Sequence, residues 1–289
     1  MSASLRGLSV GERILRVVRR TVMYAVLSLI GLTMVLPLVW MASTSLKEPQ
    51  AVFTVNVQWV PEPIDWLNYV QIWKVVPFFL FFVNSVFVAV CVTVGHVFSS
   101  ACAAYAFARL NFPGRDRLFF AYIATMMIPG TVTIIPVFIL MRLFGWIDTY
   151  DALIIPGIFL AFGTFLLRQF FMTIPRDLED AAKIDGASAF RIFWSIILPI
   201  SKPALAALTL ATFMGNWNSF MWPLLVVDSV EKKTLPIGLT YFQELYQYAS
   251  PDWPLLMAAS VVTMLPLVLL FIFNQRFFLQ GIRLSGVQR

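Results

Sequence analysis

Between Phe78 and Ala108 the chain carries no Asp, Glu, Lys or Arg, and the only histidine of the protein, His96, lies inside this run. A helix needs roughly 20 apolar residues to cross a bilayer, so this run is long enough to cross and must tilt or protrude. A helix apolar on every side belongs in a membrane or at the centre of a very large core. The rest of the sequence does not build such a core. Of 289 residues, 60% are hydrophobic and 12% charged, with a mean hydropathy of +0.81, whereas soluble chains are about 45–50% apolar and about 25% charged.

Five further runs complete the pattern. Thr21–Ser43 is too long for a signal-peptide core and lacks a clean small-residue cleavage site, so it reads as the first span. After Phe78–Ala108, a third span over Leu118–Met141 is interrupted by Pro129, Gly130 and Pro136, which predicts a kink covered by protein or facing a water-filled cavity. The fourth begins at Ala152–Leu167 and runs toward Met172, with Arg168 near its end. Pro203–Val227 is the fifth, and Pro254–Asn274, with Pro266 inside, is the sixth. Ile64–Val75 reads as a short amphipathic helix, and Trp59, Trp66, Tyr69 and Trp73 suit a membrane interface. Cys91 and Cys102 share one run, about 16 Å apart if helical, and cannot pair with each other.

Charge then sets orientation. The net charge of +6 would suit nucleic acid, but Arg and Lys flank the apolar runs, which signals topology and lipid contact instead. Of the 21 Lys and Arg, only Lys47, Lys74, Arg142, Lys232 and Lys233 fall on the expected outer side. The fold expected is an all-α integral membrane protein with six transmembrane helices and both termini cytoplasmic. It divides into an arm over 1–20, the first helix and outer loop over 21–77, a core over 78–275 and a basic tail over 276–289.

One charged island interrupts the hydrocarbon: Pro175–Pro203, PRDLEDAAKIDGASAFRIFWSIILPISKP. It reads as a cytoplasmic helix–turn–helix elbow between spans four and five. Asp177 is placed to cap a first helix carrying Leu178, Ala181, Ala182 and Ile184, with Asp180 as the acidic half of a capping box. Gly186 fits a left-handed helix end and Ser188 a second cap. Phe190, Phe193, Trp194 and Ile197 then recur as one helical face, and Pro199 and Pro203 stop it. Taken locally, the acids only complement a helix dipole.

The complete spacing says more. Asp180-Ala181-Ala182, then Gly186, then Ile196, Leu198 and Pro199 match the loop written E-A-A-x3-G-x9-I-x-L-P. The chain thereby resembles the membrane subunits of binding-protein-dependent ABC importers, most closely the carbohydrate branch related to the smaller maltose permease subunit. The family's usual Glu is Asp180 here, preceded by Glu179, so the charge is kept with a shorter reach. The resemblance covers roughly Thr21 to the C-terminus. It implies a bacterial inner-membrane location, a second related permease subunit, two ATPase subunits holding ATP and Mg, an external solute-binding protein and a carbohydrate substrate. The elbow would be the ATPase-coupling site, through Glu179, Asp180, Ala181, Ala182, Gly186, Phe190, Phe193, Trp194, Leu198 and Pro199. The outer loop Asp228–Trp253 would reach toward the binding protein, and the tail with Gln280, Gly281 and Arg283 toward the ATPase.

Absences point the same way. There is no G-x-x-x-x-G-K-[ST], no converging metal-ligand set and no nucleophile–base pair, so neither a catalytic nor a metal site is expected on this chain. The spans lack Asp, Glu and Lys, which disfavours a stand-alone ion-coupled carrier, the alternative from another class. Within the same machine, glycerol phosphate or another polyol is the alternative substrate. His96 reads as an interhelical packing residue. Asn216, Trp217, Asn218 and Trp222 are candidates for the substrate pathway, because indoles stack on sugar rings and amides bond hydroxyls, although interhelical packing explains them equally well. In intact cells, with Cys91 and Cys102 replaced, Ser188→Cys and Gln288→Cys should resist a membrane-impermeant thiol reagent and react only after permeabilisation. External labelling of either would reverse the topology.

Overall fold

The computed structural model describes residues 10–54, 58–244 and 252–285. The first nine residues of the arm, the 245–251 part of the outer loop and residues 286–289 of the tail lie outside the described residues. Among those described, regular structure is helical throughout. Four helices are long and apolar enough to cross a membrane: Ile14–Thr44, Phe78–Arg109, Tyr150–Met172 and Trp253–Gln275. Two bent pairs raise the number to six if each is one span.

Helix α1 (Val10–Thr44) starts inside the arm and turns its apolar side chains outward over most of its length. It leans on the last helix, α14 (Trp253–Ser285). The segment after α1 carries α2 (Asn68–Val75), which begins later than the expected Ile64. The Asp65 carboxylate accepts the Leu67 N–H at 2.9 Å, a side-chain turn that delays the helix. Asn68 then ties α2 to the end of α1 by donating to the Ser45 and Lys47 carbonyls.

The axis of the bundle is α3 (Phe78–Arg109), about 48 Å long at 1.5 Å per residue. Against it pack α6 (Tyr150–Ile158), α7 (Ala161–Met172) and α11 (Lys202–Trp217). Lipid tails give apolar helices little reason to associate, so close backbone approach must supply the attraction. Gly163 provides it on α7. A Cβ there would lie 2.4 Å from Ser100 Oγ and 2.6 Å from His96 Nε2, closer than real atoms approach.

The fourth span breaks at Phe159–Leu160, between α6 and α7. That break frees the Ile158 carbonyl, which finds Ser99 Oγ at 2.8 Å and His96 Nδ1 at 3.1 Å. His96 is thus an interhelical partner, 2% exposed. Helix-breaking sequences survive in membranes only when such partners exist.

The third span departs from expectation. Instead of a kink, α4 (Arg115–Ala124) and α5 (Gly130–Leu143) meet at 101°. Pro129 has no N–H and drives the preceding residue out of helical geometry; Ile128 is extended at ψ 116°. Pro136, one residue without a donor in mid-helix, leaves α5 intact. The fifth span is also broken, since α11 ends at Trp217 and the chain resumes as α12 (Met221–Val226).

At the end away from the elbow, the chain ties a polar knot. Asp148, at φ 59°, accepts from the Asp228 N–H at 3.1 Å, the Ser229 N–H at 3.0 Å and the Ser229 hydroxyl at 2.8 Å. Lys232 lies 3.3 Å from its carboxylate and also donates to its carbonyl. Asn84 donates to the Glu231 and Lys233 carbonyls and accepts from Tyr150, while Ser85 accepts the Leu235 N–H. Partial burial pushes the Asp148 carboxyl up, but its bonds from Ser229, Lys232 and Asp228 outweigh that and hold it at about 2.

A folded pKa below the unfolded 3.8 contributes stability that is complete above pH ~4 and is lost as pH falls toward about 2. Asn tolerates the left-handed backbone, so Asp148→Asn removes the charge alone. It should destabilise the purified protein at pH 7 by about 1 kcal/mol, discounted for partial exposure. The difference from the wild type should vanish by pH ~2. A difference constant between pH 7 and 2 would show that the charge contributes nothing.

Candidate coupling site

The elbow leaves α7 through Thr173–Arg176 and forms α8 (Asp177–Ile184), α9 (Ala189–Ile192), a wide π turn over Phe193–Ile197 and α10 (Leu198–Ile200). Gly186 takes φ 76°, as the turn demands. Ser188 caps α9 by accepting the Arg191 N–H at 3.3 Å. Two expectations need correction. Asp177 is not the cap: Arg176 holds that position in helical geometry, and its carbonyl accepts the Glu179 and Asp180 N–H groups. Pro175 starts the turn one residue earlier than the capping spacing suggested. Nor does Pro199 stop the second helix, which continues to Ile200. In the π turn before it, the Leu198 N–H bonds to Phe193 O, a wider ring that relieves the proline's clash with the preceding turn. The stop comes at Ser201, where the chain bends by 77° into α11.

The two neighbouring acids at the start of the elbow do different things. Glu179 is 5% exposed and points inward to Arg109, with Oε1 3.0 Å from Nε. Arg109 also donates to the carbonyls of Phe171 and Ile174, at the C-terminal end of α7, the latter at 2.6 Å. One guanidinium therefore holds the end of α3, the end of α7 and the start of the elbow together. Asp180 faces outward and, among the described residues, pairs only with Lys183 of its own helix, at 2.8 Å. The hydrogen bond from Lys183, with its charge, holds the Asp180 carboxyl below the usual carboxylate range.

The apolar residues are inverted relative to a free-standing amphipathic helix. Ile184 is 87% exposed and Leu178 is exposed too, whereas the buried residue of α8 is Glu179. Ala181 is exposed and Ala182 packs inward. The expected aromatic face splits in two. Phe193 and Ile197 are buried with Ile192 among Ala101, Ala104, Leu167 and Leu208, and Phe193 lies 5.0 Å from Tyr105 between ring centres. Phe190 and Trp194 stack on each other at 6.3 Å and stay exposed. Leu198 packs against the core cluster and Pro199 is exposed.

The candidate pathway residues scatter. Trp217 is 1% exposed, stacked on Phe213, with its indole N–H given to Thr263 O at 3.1 Å. Trp222 donates to Ala152 O. Asn216 and Asn218 each donate back to a carbonyl of their own helix, Thr212 and Met214, and Asn218 is exposed. Sequence reasoning counted Arg109 as a topology charge and missed its contact with Glu179. The available signal was an arginine placed at the end of an otherwise uncharged run.

Removing one partner of a buried pair strands the other charge, which typically costs about 3–5 kcal/mol. Glu179→Ala should lower stability on that scale, while Asp180→Ala leaves unfolding unchanged. Glu179→Leu with Arg109→Leu should recover only part of the loss, because the Phe171 and Ile174 carbonyls lose their donor. Thermal unfolding of the purified chain reads all of these; equal effects of the two single changes would refute the inward–outward division.

Residues 97–284 match the family model described as binding-protein-dependent transport system inner membrane component. An sn-glycerol-3-phosphate transport system permease protein of Yersinia enterocolitica is 36% identical over 265 residues, covering 89% of this chain and 94% of that protein. An arabinooligosaccharides transport system permease protein of Halalkalibacterium halodurans is 37% identical over 211 residues, covering 73% and 75%. Among solved structures, a bacterial ABC transporter involved in the import of the acidic polysaccharide alginate contains a chain that superposes with a TM-score of 0.81 at 26% identity, covering 94% of this chain and 99% of that one. With its apolar helices and its interrupted spans, the chain belongs to the binding-protein-dependent inner-membrane transport components and is a permease subunit of an ABC importer.

Proposed function

We propose that this subunit forms half of the translocation pathway of an ATP-driven importer for a carbohydrate, and that its elbow is the cytoplasmic socket for a separate ATPase. One observation carries the coupling assignment: the elbow buries Glu179 and exposes Leu178, Ile184, Phe190 and Trp194. Outside a bilayer, a cluster of that kind marks a protein contact. Asp180 beside it supplies a charge for a basic group of the ATPase, whose ATP and Mg do the hydrolysis. On this reading the complex also holds a second, related permease subunit, two ATPase subunits and an external binding protein, and both termini are cytoplasmic.

The carbohydrate assignment rests on relatives that carry arabinooligosaccharides and alginate by name. Glycerol phosphate or another polyol is the second reading, favoured by the relative matched over 94% of its length. Asn218, exposed at the end of α11, is the best placed of the pathway candidates; Asn216 and Trp222 are half-buried. Trp217 supports the pathway wall through its packing.

The coupling test is binding-protein-stimulated ATP hydrolysis in reconstituted complexes, with subunit assembly measured separately. Asp180→Lys and Ile184→Asp should each lower stimulated hydrolysis at least ~10-fold, the factor that corresponds to about 1.4 kcal/mol of lost contact. Gly186→Val should do likewise by denying the turn its left-handed backbone. If Asp180→Lys assembles normally and keeps full hydrolysis and uptake, the carboxylate is only a surface helix charge.

A further inference from the structure

Four arginines converge on one cavity at the elbow end of the bundle. Its volume is about 360 Å³, and its wall includes Phe107, Arg109, Arg115, Arg168, Met172 and Arg176. Two of the four charges are matched, Arg109 by Glu179 and Arg115 by Asp116 at 2.9 Å. Arg168 and Arg176 have no carboxylate within 4 Å among the described residues. Arg168 is held in place rather than free: its Nε donates to Phe107 O at 3.3 Å, and its guanidinium carbon sits 4.0 Å from the centre of the Phe119 ring. The cavity therefore carries an excess of positive charge with part of it already oriented, and neither the fold nor the coupling site uses it.

Its position says which anion fits. The cavity lies where α3 and α7 end and α4 begins, at the depth where the apolar runs stop. Met172 of its wall is exposed, and on α4, shortly after Arg115, Leu118 and Phe120 expose apolar side chains as well. A charged mouth with an apolar flank at that depth matches a phosphate headed by polar groups and trailed by acyl chains. Planar guanidinium forks suit phosphate oxygens better than ammonium groups would. Basic clefts between helices at a membrane surface bind anionic headgroups on this principle.

We infer that the Arg109–Arg115–Arg168–Arg176 cavity binds a phosphate group, supplied by an anionic phospholipid of the surrounding bilayer. Bound there, the lipid bridges α4 to the α3–α7 ends and so braces the ground from which the elbow projects. Arg168 and Arg176 make the contact, and Arg109 positions the wall. The assignment requires only that the helices lie in a membrane, so its failure would leave the importer reading untouched.

The experiment is native mass spectrometry of the full-length chain, delipidated and titrated with phosphatidylglycerol or phosphatidylcholine of equal acyl length. Phosphatidylglycerol should bind with a preference of at least ~10-fold, since each basic residue near a membrane surface contributes roughly a fivefold factor. Arg168→Gln with Arg176→Gln should reduce that preference to about twofold or less, while the opposite-end control Arg142→Gln keeps it. Equal binding of the two lipids, or a preference that survives the double change, overturns the site. Displacement of the lipid by millimolar inorganic phosphate would assign the cavity to a soluble phosphate and overturn the lipid source. Loss of the preference on assembly with the ATPase subunits would mean that acidic protein surface fills the cavity, and overturns it as well. Monodispersity of each variant in detergent separates these outcomes from misfolding.

Discussion

A bilayer offers no water to a broken helix, so each interruption in this chain must find its hydrogen-bond partner in protein. One helix supplies several such partners, here and at the ends of other elements. At one end of α3, Asn84 and Ser85 hold the Glu231–Leu235 segment. In its middle, Ser99 and His96 take the carbonyl freed between α6 and α7. At its other end, Arg109 collects the last carbonyls of α7 and the buried acid of the elbow. Asn84, Ser85, His96 and Arg109 are thus committed to other elements, whereas the buried hydroxyls of Thr93 and Ser100 have no partner among the described residues. The helix is apolar enough to cross a membrane, and four of its polar side chains sit where a neighbouring element ends.

This arrangement has a mechanical consequence. Asn84 and Arg109 are separated by about 38 Å along a continuous helix, with no proline between them. The polar knot around Asp148 and the elbow around Glu179 are therefore fastened to the two ends of one strut. On the proposed reading, a binding protein pressing at the outer loops and an ATPase gripping the elbow act on the same rigid body. The break in the fourth span is fastened to that strut through Ser99 and His96, and Gly163 lets α7 cross it at close range.

Local rules in the sequence located four long apolar helices, the left-handed Gly186 and the Ser188 cap, because each depends on a few adjacent residues. The failures share one cause. The direction of α8 could not follow from Leu178, Ala181, Ala182 and Ile184, whose spacing asks for an apolar stripe turned inward. What turns it the other way is Arg109, a partner far off in the chain. Likewise, the continuous row Phe190–Phe193–Trp194–Ile197 assumes ideal α geometry, and a single π turn divides it. Trp217 shows the same limit. An indole in a membrane helix reads equally as a sugar platform or as packing, and only the Phe213 stack and the Thr263 carbonyl give its place.

The pairing of Glu179 with Asp180 then acquires a physical sense. Successive residues on a helix point about 100° apart, so two adjacent acids cannot both face the core or both face a partner. The longer side chain reaches inward to a guanidinium in the shielded interior, where an unmatched charge would be costly. The shorter one remains in water, where Lys183 screens it weakly and a competing cation can replace that lysine at little cost. Exchanging the two would bring the shorter carboxylate to Arg109 and leave the reach of the longer one unused at the surface. The glutamate ahead of the motif therefore belongs to the fold, and the aspartate in the motif remains available for recognition.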